Sequence, residues 1–175
     1  MEKTRHIEDV ENLDWKTWEP AVKAVLVFIV DRKQNRVLLI HKKRGMGKGK
    51  ISAPGGKIEK GETAEAAAIR ECLEEVSLSP CNPLKGAELY FQFVSGDSLY
   101  VDVFFAYTWE NEMAESDEAL PFWCPLDEIP WDRMWADDRF WLPQALEGTM
   151  LRGYFVFDDD RLVSSKVEEV EHFDD

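Results

Sequence analysis

The residues best suited to chemistry lie between Gly56 and Leu78, in the segment GKIEKGETAEAAAIRECLEEVSL. Arg70-Glu71 is followed by Glu74-Glu75, so one short helix would carry an arginine and three carboxylates. Like charges three or four residues apart on a helix repel by roughly 0.2–0.5 kcal/mol per pair. Ligand sets made only of carboxylate oxygens favour hard cations such as Mg²⁺ or Mn²⁺ over zinc or copper. The spacing therefore predicts a divalent-cation site on this helix.

The alternative for an E-x-x-E-E helix taken alone is an acidic face exposed to solvent. An advance of about 100° per residue gathers the helix's larger apolar residues into one stripe. The stripe predicts a helix that packs these residues on the core and turns all three glutamates away from it. Its members are Ile69, Cys72, Leu73 and Val76.

The segment resembles the Nudix box, G-x5-E-x7-R-E-U-x-E-E-x-G-U, in which U is an aliphatic residue. Two positions depart from it: Ser77 replaces the last glycine, which usually forms a left-handed turn, and Cys72 replaces an aliphatic residue. A match over many positions arises rarely by chance, so it favours the functional interpretation over the acidic face. The residues in register are Gly56, Glu62, Arg70, Glu71, Glu74, Glu75 and Leu78.

The resemblance continues outside the box. The segments VLLIHKKRGMGKGK, ESDEALPFW, IPWDRMWADDRFW and GYFVF are similar to the MutT-type branch of the family, which hydrolyses oxidised purine nucleoside triphosphates. It implies an α/β/α sandwich around a mixed β-sheet. It also implies metal-dependent cleavage of a nucleoside triphosphate such as 8-oxo-dGTP to nucleoside monophosphate and pyrophosphate, a nucleotide-pool sanitation activity linked to DNA repair. Two alternatives are a Nudix pyrophosphatase for another nucleoside diphosphate derivative and a non-catalytic nucleotide sensor.

The resemblance also implies roles for individual residues. Glu74 and Glu75 match the principal metal ligands, and Glu71 matches a position that serves as ligand or general base, held in place by Arg70. Glu118 matches a loop carboxylate that approaches the metal from outside the box, and a backbone carbonyl before the box would complete the ligand set. The implied catalytic residues are Arg70, Glu71 and Glu74, and the implied metal ligands are Gly55, Glu71, Glu74, Glu75 and Glu118.

The run Trp135-Ala136-Asp137-Asp138 is the candidate base-binding segment. An indole can stack on a purine, which contributes on the order of 1–3 kcal/mol per base. Adjacent carboxyls can accept hydrogen bonds from a purine edge, and a protonated one can also donate. The alternative is that Trp135 is a core residue and one aspartate caps the second helix. The resemblance favours base binding.

Three further residues complete the predicted substrate-binding set. Lys42 would face phosphate or base, and Phe91 lies with Phe93 and Tyr100 on a predicted hairpin whose aromatic face lines either the pocket or the core. Ser52 stands where the best-known oxidised-purine hydrolase has an asparagine that holds the base, and a hydroxyl makes fewer hydrogen bonds than a carboxamide. This substitution weakens the expectation of a strict choice of 8-oxo-purine.

Apolar periodicity predicts the elements that must position these residues. Glycines 45, 47 and 49 indicate a flexible loop and Pro54-Gly55-Gly56 a tight turn before the box helix. Strands flanking two helices in this order predict the α/β class, with a mixed sheet covered on both faces. The predicted strands are 21–30, 36–41, 88–94, 99–109, 120–126, 152–157 and 162–167, and the second predicted helix is 137–147.

Length and charge limit the function further. The 175 residues suit one domain, 21–175, preceded by a loosely packed extension, 1–20. A net charge of −14 argues against a nucleic-acid polymer as partner. Between His41 and Ile58 there are basic residues and no acidic ones, which is either a solvated basic loop or a surface that attracts a small polyphosphate.

Location and partners follow from simpler features. The longest apolar run, 24–30, is too short to cross a bilayer, and the first residues lack the apolar segment of a signal peptide. Three cysteines without a C-x-x-C pair indicate free thiols in a reducing cytoplasm. The sequence thus predicts a cytoplasmic protein whose partner is a small nucleotide, with no membrane association, and it does not indicate the oligomeric state.

Overall fold

The computed structural model describes residues 9–173, in which the chain divides into two compact units. The box unit comprises residues 24–85 and 103–135, and the terminal unit comprises residues 9–23, 86–102 and 136–173. The elements in chain order are β1 (Val22–Asp31), β2 (Arg36–Lys42), β3 (Ile51–Ser52), β4 (Gly55–Lys57), α1 (Ala64–Val76), β5 (Ser79–Cys81), β6 (Leu84–Phe93), β7 (Ser98–Ala106), β8 (Thr108–Glu110), β9 (Ala119–Pro125), α2 (Asp138–Leu146), β10 (Leu151–Asp158) and β11 (Arg161–Glu169), with 3₁₀ turns at Val10–Asn12 and Trp131–Arg133.

The predicted strands and the second helix agree with these bounds to within a few residues, and the predicted α/β class with a mixed sheet is confirmed. The short strands β3, β4 and β5 were not predicted, because segments of two or three residues carry no periodicity. The predicted strand 99–109 is divided at Tyr107 into β7 and β8. No helix among residues 9–173 is both long enough and apolar enough to span a membrane.

Several strand pairs of the box unit are antiparallel. Strand β9 pairs with β2 along its whole length, from Arg36 opposite Pro125 to Lys42 opposite Ala119. Strand β4 pairs with β1, β3 pairs with β2, and β5 pairs with β8 in a separate two-stranded sheet. Helix α1 packs against β4, β5 and β9 over a core of aliphatic side chains. The box helix is thus fixed by several strands of its own unit.

The segment Pro54-Gly55-Gly56 is not the tight turn expected. Gly55 and Gly56 pair with Leu26 and Val25 as part of β4. A Cβ added at Gly55 would overlap the carbonyl oxygen of Val25, and one added at Gly56 would overlap the carboxyl group of Glu71. Glycine is required at these two positions because β1 and the Glu71 carboxylate approach the backbone too closely for a side chain. No turn is involved.

The predicted apolar stripe of α1 is wrong at Leu73, which is 46% exposed. The buried side runs through Ala68, Cys72 and Val76, spaced four residues apart, and includes Glu75, which is only 5% exposed. The small side chain of Ala68 lets this side of the helix approach the core closely, so the helix is rotated away from Leu73. One glutamate that was expected to face away from the core is therefore buried.

Both ends of α1 are capped. The Thr63 hydroxyl accepts a hydrogen bond of 3.1 Å from the Ala66 amide at the N-terminus. At the C-terminus Ser77 has φ 66°, in the left-handed region, and its amide donates to the Leu73 carbonyl. The left-handed turn expected at this box position is confirmed, although serine replaces glycine.

The terminal unit contains a parallel pair of the mixed sheet. Strand β10 pairs parallel with β6 and antiparallel with β11, and α2 packs against β10. Phe91 of β6 stacks on Phe155, with ring centroids 5.3 Å apart, and also contacts Phe157. Tyr100 contacts Tyr90 instead. Because side chains of adjacent strand residues point to opposite faces, Tyr100 does not share the face of Phe91.

The described part of the N-terminal segment packs closely on this unit. The Val10 side chain is buried, and its amide donates a hydrogen bond of 3.1 Å to the Ser164 hydroxyl. The Trp18 indole donates one of 2.8 Å to the Gln92 side chain. Trp15 lies against Tyr154, with ring centroids 5.1 Å apart. These contacts are tighter than the loose packing expected for residues 1–20, of which 1–8 lie outside the described residues.

Candidate metal and nucleotide site

Three carboxylates of the box unit converge. Glu71 and Glu75 from α1 and Glu118 from the loop before β9 each offer an oxygen, and the three oxygens lie within 4.8 Å of one another. The loop of Glu118 is held to the end of β2, because the Lys43 amide donates to the Glu118 carbonyl at 2.9 Å and the Arg44 guanidinium contacts the Glu118 carboxylate at 3.0 Å. This arrangement brings together three of the five predicted metal ligands.

Strand β4 contacts two members of this carboxylate cluster, Glu71 and Glu75. The Gly55 amide donates a hydrogen bond of 3.1 Å to Oε2 of Glu75. The missing side chain of Gly56 makes room for the carboxylate of Glu71. Gly55, whose carbonyl is also a predicted ligand, is therefore adjacent to the cluster, which it contacts through its amide.

Arg70 organises the acidic residues around it. Its Nε and Nη2 donate to the two carboxylate oxygens of Glu62 at 2.7 and 2.9 Å. Its Nη1 donates to Glu71 at 2.7 Å, and its Nη2 also donates to the Lys57 carbonyl at 3.1 Å. The expected orientation of Glu71 by Arg70 is present. The bidentate ion pair between Arg70 and Glu62 was not predicted, although Glu62 was identified as a box position.

Glu74 lies outside the cluster. Its side chain is 60% exposed and accepts a longer hydrogen bond of 3.3 Å from Arg70. The predicted link between Arg70 and its i+4 neighbour is therefore present. Glu74 is the predicted metal ligand that is absent from the group of carboxylates brought together by the structure.

The electrostatics of the cluster are unfavourable for three ionised carboxylates. Burial, followed by the charges of Glu71 and Glu118, raises the pKa of Glu75 to about 8, against the lowering effect of the Gly55 amide. Burial also raises the pKa of Glu71, although Arg70 opposes the shift. By contrast, hydrogen bonds from Arg70 lower the pKa of Glu62 to about 2. A cation would relieve the strain at Glu71 and Glu75, so this all-oxygen donor set fits a hard divalent metal.

The remaining substrate candidates of the box unit lie on different elements. Ser52 is half-buried on β3, opposite Ile40 of β2. Lys42 ends β2, and its positive charge lowers the pKa of Glu75. Trp135 is half-buried, with the Lys50 ammonium 5.0 Å from the centroid of its ring. Lys50 was not singled out from the sequence, where it was one of several basic residues.

Asp137 and Asp138 of the terminal unit are both buried. Oδ2 of Asp137 accepts a hydrogen bond of 2.9 Å from the Trp141 indole, and the two aspartate side chains are hydrogen-bonded to each other. Asp137 occupies the N-cap position of α2 but makes no capping hydrogen bond with its side chain. Burial raises the pKa of Asp137 to about 6, and burial together with the Asp137 charge raises that of Asp138 well above its usual value. The pair can therefore both donate and accept hydrogen bonds near neutral pH.

Phe91 is largely buried in the terminal unit. Its ring contacts are with Phe155 and Phe157, as described above. These contacts correspond to the core alternative considered for the aromatic face of the hairpin.

Comparison with known proteins identifies the domain that these elements form. The model of the NUDIX domain matches residues 20–145. The oxidized purine nucleoside triphosphate hydrolase of Danio rerio is 43% identical over 149 residues, which cover 84% of this chain and 96% of the relative. The enzyme of the same name from Mus musculus is 41% identical over 140 residues, or 79% of this chain and 90% of the relative.

A solved structure supports the fold directly. The mutator MutT protein from Bacillus halodurans superposes with a TM-score of 0.74 at 28% identity, covering 84% of this chain and 97% of that chain. This likeness confirms the expected fold class. The domain match extends over most of the chain and includes the helix that carries Arg70, Glu71 and Glu75, so the protein belongs to the Nudix family of hydrolases.

Proposed function

We propose that this Nudix hydrolase converts an oxidised purine nucleoside triphosphate such as 8-oxo-dGTP to nucleoside monophosphate and pyrophosphate, and so removes damaged precursors before DNA synthesis. The observation that carries the proposal is the convergence of Glu71, Glu75 and Glu118, with Arg70 bonded to Glu71. The two relatives described above carry the name of this activity and match most of the chain. A small acidic protein of net charge −14 suits a free nucleotide better than a nucleic-acid polymer.

Nudix hydrolases generally use divalent metal ions, and the metal proposed here is Mg²⁺ or Mn²⁺. Glu71, Glu75 and Glu118 would hold it, with the Gly55 carbonyl and Glu74 as the further proposed ligands. When bound, such an ion neutralises the polyphosphate and lowers the pKa of a bound water. All-oxygen ligation and the raised pKa of Glu75 support this assignment.

The residues of the chain then have separate tasks. Arg70 fixes the direction of the Glu71 carboxylate, and this group takes the proton of the attacking water when it does not serve as a ligand. Glu62 in turn holds Arg70 through two hydrogen bonds. Lys42 and the basic residues that follow it attract the triphosphate toward the acidic helix.

The base is proposed to be recognised by two groups that lie two residues apart along the chain. Trp135 supplies an indole on which a purine stacks. Asp137 and Asp138, with their raised pKa values, supply both a donor and acceptors to a purine edge. Ser52 and Phe91 remain proposed substrate-binding residues, and Phe91 has the weaker support because it contacts Phe155 and Phe157.

A cytoplasmic location is also proposed. Cys72, Cys81 and Cys124 are free thiols, which is the expected state in a reducing compartment. Burial raises the pKa of the Cys72 thiol to about 12, so this residue serves the core rather than redox chemistry.

The test is pyrophosphate release from a panel of oxidised and ordinary nucleoside triphosphates and sugar-linked nucleoside diphosphates, with Mg²⁺ or Mn²⁺. Oxidised purine triphosphates are expected to have the highest kcat/KM. Preferred turnover of a sugar-linked nucleotide would overturn the substrate class, and nucleotide binding without turnover would leave only a sensor. Glu75→Gln is expected to lower kcat by at least about 100-fold, whereas the exposed Glu65→Gln on the same helix serves as the matched control.

A further inference from the structure

The loop between β2 and β3 is closed by its own backbone. We call residues 42–50 the glycine loop. The Lys42 amide donates to the Lys50 carbonyl at 3.0 Å, and the Lys42 carbonyl accepts from the Gly49 amide at 2.9 Å. Two further bonds, from Lys48 to Gly45 and from Lys50 to Gly47, form turns within the loop. The loop expected to be flexible is therefore held in a defined conformation that can position another residue.

The residue that it contacts is Trp135. Gly47 has φ +82°, and a Cβ built on it would lie 2.8 Å from Nε1 and 3.5 Å from Cε2 of the Trp135 indole. Real Cβ atoms do not approach a ring atom at 2.8 Å, so only glycine allows the loop and the indole to occupy these positions. The backbone of Gly47 thus limits where the edge of the indole can lie.

The Lys50 ammonium contacts the same ring from its face. It lies 5.0 Å from the ring centroid, within the range of a cation–π interaction. Gly47 and Lys50 are linked by the bond from the Lys50 amide to the Gly47 carbonyl, 2.8 Å long. The edge and the face of one indole are therefore both contacted by one hydrogen-bonded turn.

We propose that Gly47 and Lys50 are positioning residues that fix the Trp135 indole in the plane needed to stack on the purine of the substrate. This inference rests on the proposed function, in which Trp135 is the stacking group. The glycine loop then has two tasks, because its positive charge attracts phosphate and its conformation positions the indole. Base selectivity then depends on the conformation of the loop as well as on the groups that touch the base.

The chain provides a matched pair of substitutions. Gly47→Ala and Gly49→Ala both place a side chain at a positive φ in the same loop, since Gly49 has φ +89°. A Cβ at Gly49 meets nothing within 4 Å, whereas one at Gly47 meets the indole. Gly47→Ala is expected to raise KM for the oxidised purine triphosphate at least about fivefold with kcat within about twofold. Gly49→Ala is expected to stay close to the wild type.

Two more variants test the contacts separately. In a Trp135→Phe background the phenyl ring lacks the Nε1 atom that meets the added Cβ, so Gly47→Ala is expected to have little further effect. Lys50→Met keeps the apolar stem and removes the charge, and is expected to raise KM about two- to threefold. Lys48→Met removes the same charge from the same loop and therefore measures the lost attraction for the triphosphate alone, so Lys50→Met is expected to raise KM more than Lys48→Met. Equal effects of Gly47→Ala and Gly49→Ala, or an unchanged effect of Gly47→Ala in the Trp135→Phe background, would overturn the proposal.

A readout without substrate separates this inference from the proposed function. In protein labelled with 5-fluorotryptophan, the ¹⁹F signal of Trp135 is identified as the one lost in Trp135→Phe. Gly47→Ala is expected to shift that signal and Gly49→Ala to leave it in place. A shifted signal in a protein that does not hydrolyse purine triphosphates would reject the proposed function while the positioning of the indole stands. An unshifted signal would reject the positioning even in an active enzyme.

Discussion

Asp137 and Trp141 are joined side chain to side chain by a buried hydrogen bond of 2.9 Å from the indole nitrogen to Oδ2. The bond spans one turn of α2, so the carboxyl group at the start of this helix turns toward the helix's own side chains and not to its free amides. Asp138 is hydrogen-bonded to the same carboxyl group. Two acids thus share one buried position, and at least one of them holds a proton near neutral pH.

This pair makes stability depend on pH in a defined direction. The pKa of Asp137 is raised to about 6 and that of Asp138 well above its usual value, so the folded state keeps protons that the unfolded chain has already released. The free energy of unfolding contributed by the pair is therefore full below about pH 4 and falls as pH rises through 6, with a slope of about 1.4 kcal/mol per pH unit for each proton. Urea unfolding between pH 5 and 8 measures it.

The control for this slope is a change of the same chemistry elsewhere. Asp138→Asn cannot release the proton, so the decline in stability above pH 5 is expected to be shallower than in the wild type. Asp127→Asn, at an exposed position, is expected to keep the wild-type slope. The raised pKa values would be contradicted if the free energy of unfolding rose between pH 5 and 8 by the same amount in the wild type, Asp138→Asn and Asp127→Asn.

The sequence predicted the long elements and the box because both rest on repeated patterns. The strand pair 152–157 and 162–167 was recognised from β-branched and aromatic residues, and β10 and β11 agree with it. The rotation of α1 was not predicted, because a helical wheel weighs Leu73 above Ala68 although the close approach of the core depends on small side chains. Tertiary packing therefore decided which glutamate is buried.

Contacts between distant parts of the chain were beyond the sequence for a similar reason. Glu118 was predicted as a metal ligand only from the resemblance to the family. Its approach to Glu71 depends on the hydrogen bond between the Lys43 amide and the Glu118 carbonyl. The contact of Gly47 with Trp135 joins residues 88 positions apart by their numbers and leaves no periodic signal. The types of residue in the site could therefore be predicted from the sequence, whereas their distances depend on long-range packing.

Glu62 is expected to act on catalysis through Arg70. Glu62→Gln removes the charge that holds Arg70 by two bonds, which frees the guanidinium to move away from Glu71. Loss of such a supporting group typically costs about 10- to 100-fold in activity or metal affinity. Steady-state kinetics and Mn²⁺ titration of the variant measure the loss. Glu59→Gln is the control, because Glu59 is exposed and lies 3.8 Å from Arg70, and wild-type-like values for both variants would contradict the role of Glu62.

Glu75 and Glu74 are expected to differ in how they respond to metal. Glu75 is buried beside Glu71 and Glu118, so Glu75→Gln relieves desolvation and repulsion in the metal-free protein. Its Tm without metal is expected to rise by about 2–4 °C, which corresponds to about 1 kcal/mol for a chain of this size. Added Mn²⁺ is expected to raise the Tm of the wild type but not that of Glu75→Gln.

Thermal shift with and without Mn²⁺ also decides the place of Glu74. Because Glu74 is exposed and outside the carboxylate cluster, Glu74→Gln is expected to keep the wild-type Tm without metal and part of the rise with Mn²⁺. A complete loss of the Mn²⁺ response in Glu74→Gln, with a full response in Glu75→Gln, would contradict the arrangement of ligands proposed here. Both variants are expected to lower turnover, Glu75→Gln more strongly.

Ser77 is expected to reduce stability without contributing to catalysis. Its φ of 66° lies in the left-handed region, where a side chain is strained and glycine is not. Ser77→Gly is expected to raise the free energy of unfolding by about 0.5–1 kcal/mol, since the relief of strain exceeds the greater freedom of glycine in the unfolded chain. Urea unfolding measures the gain, and kcat is expected to be unchanged because Ser77 is not part of the carboxylate cluster.

Asn111, with φ 75°, is the matched control, because asparagine tolerates this conformation better than serine, so Asn111→Gly should gain less. A loss of stability in Ser77→Gly would show that the serine hydroxyl contributes more than the strained backbone costs.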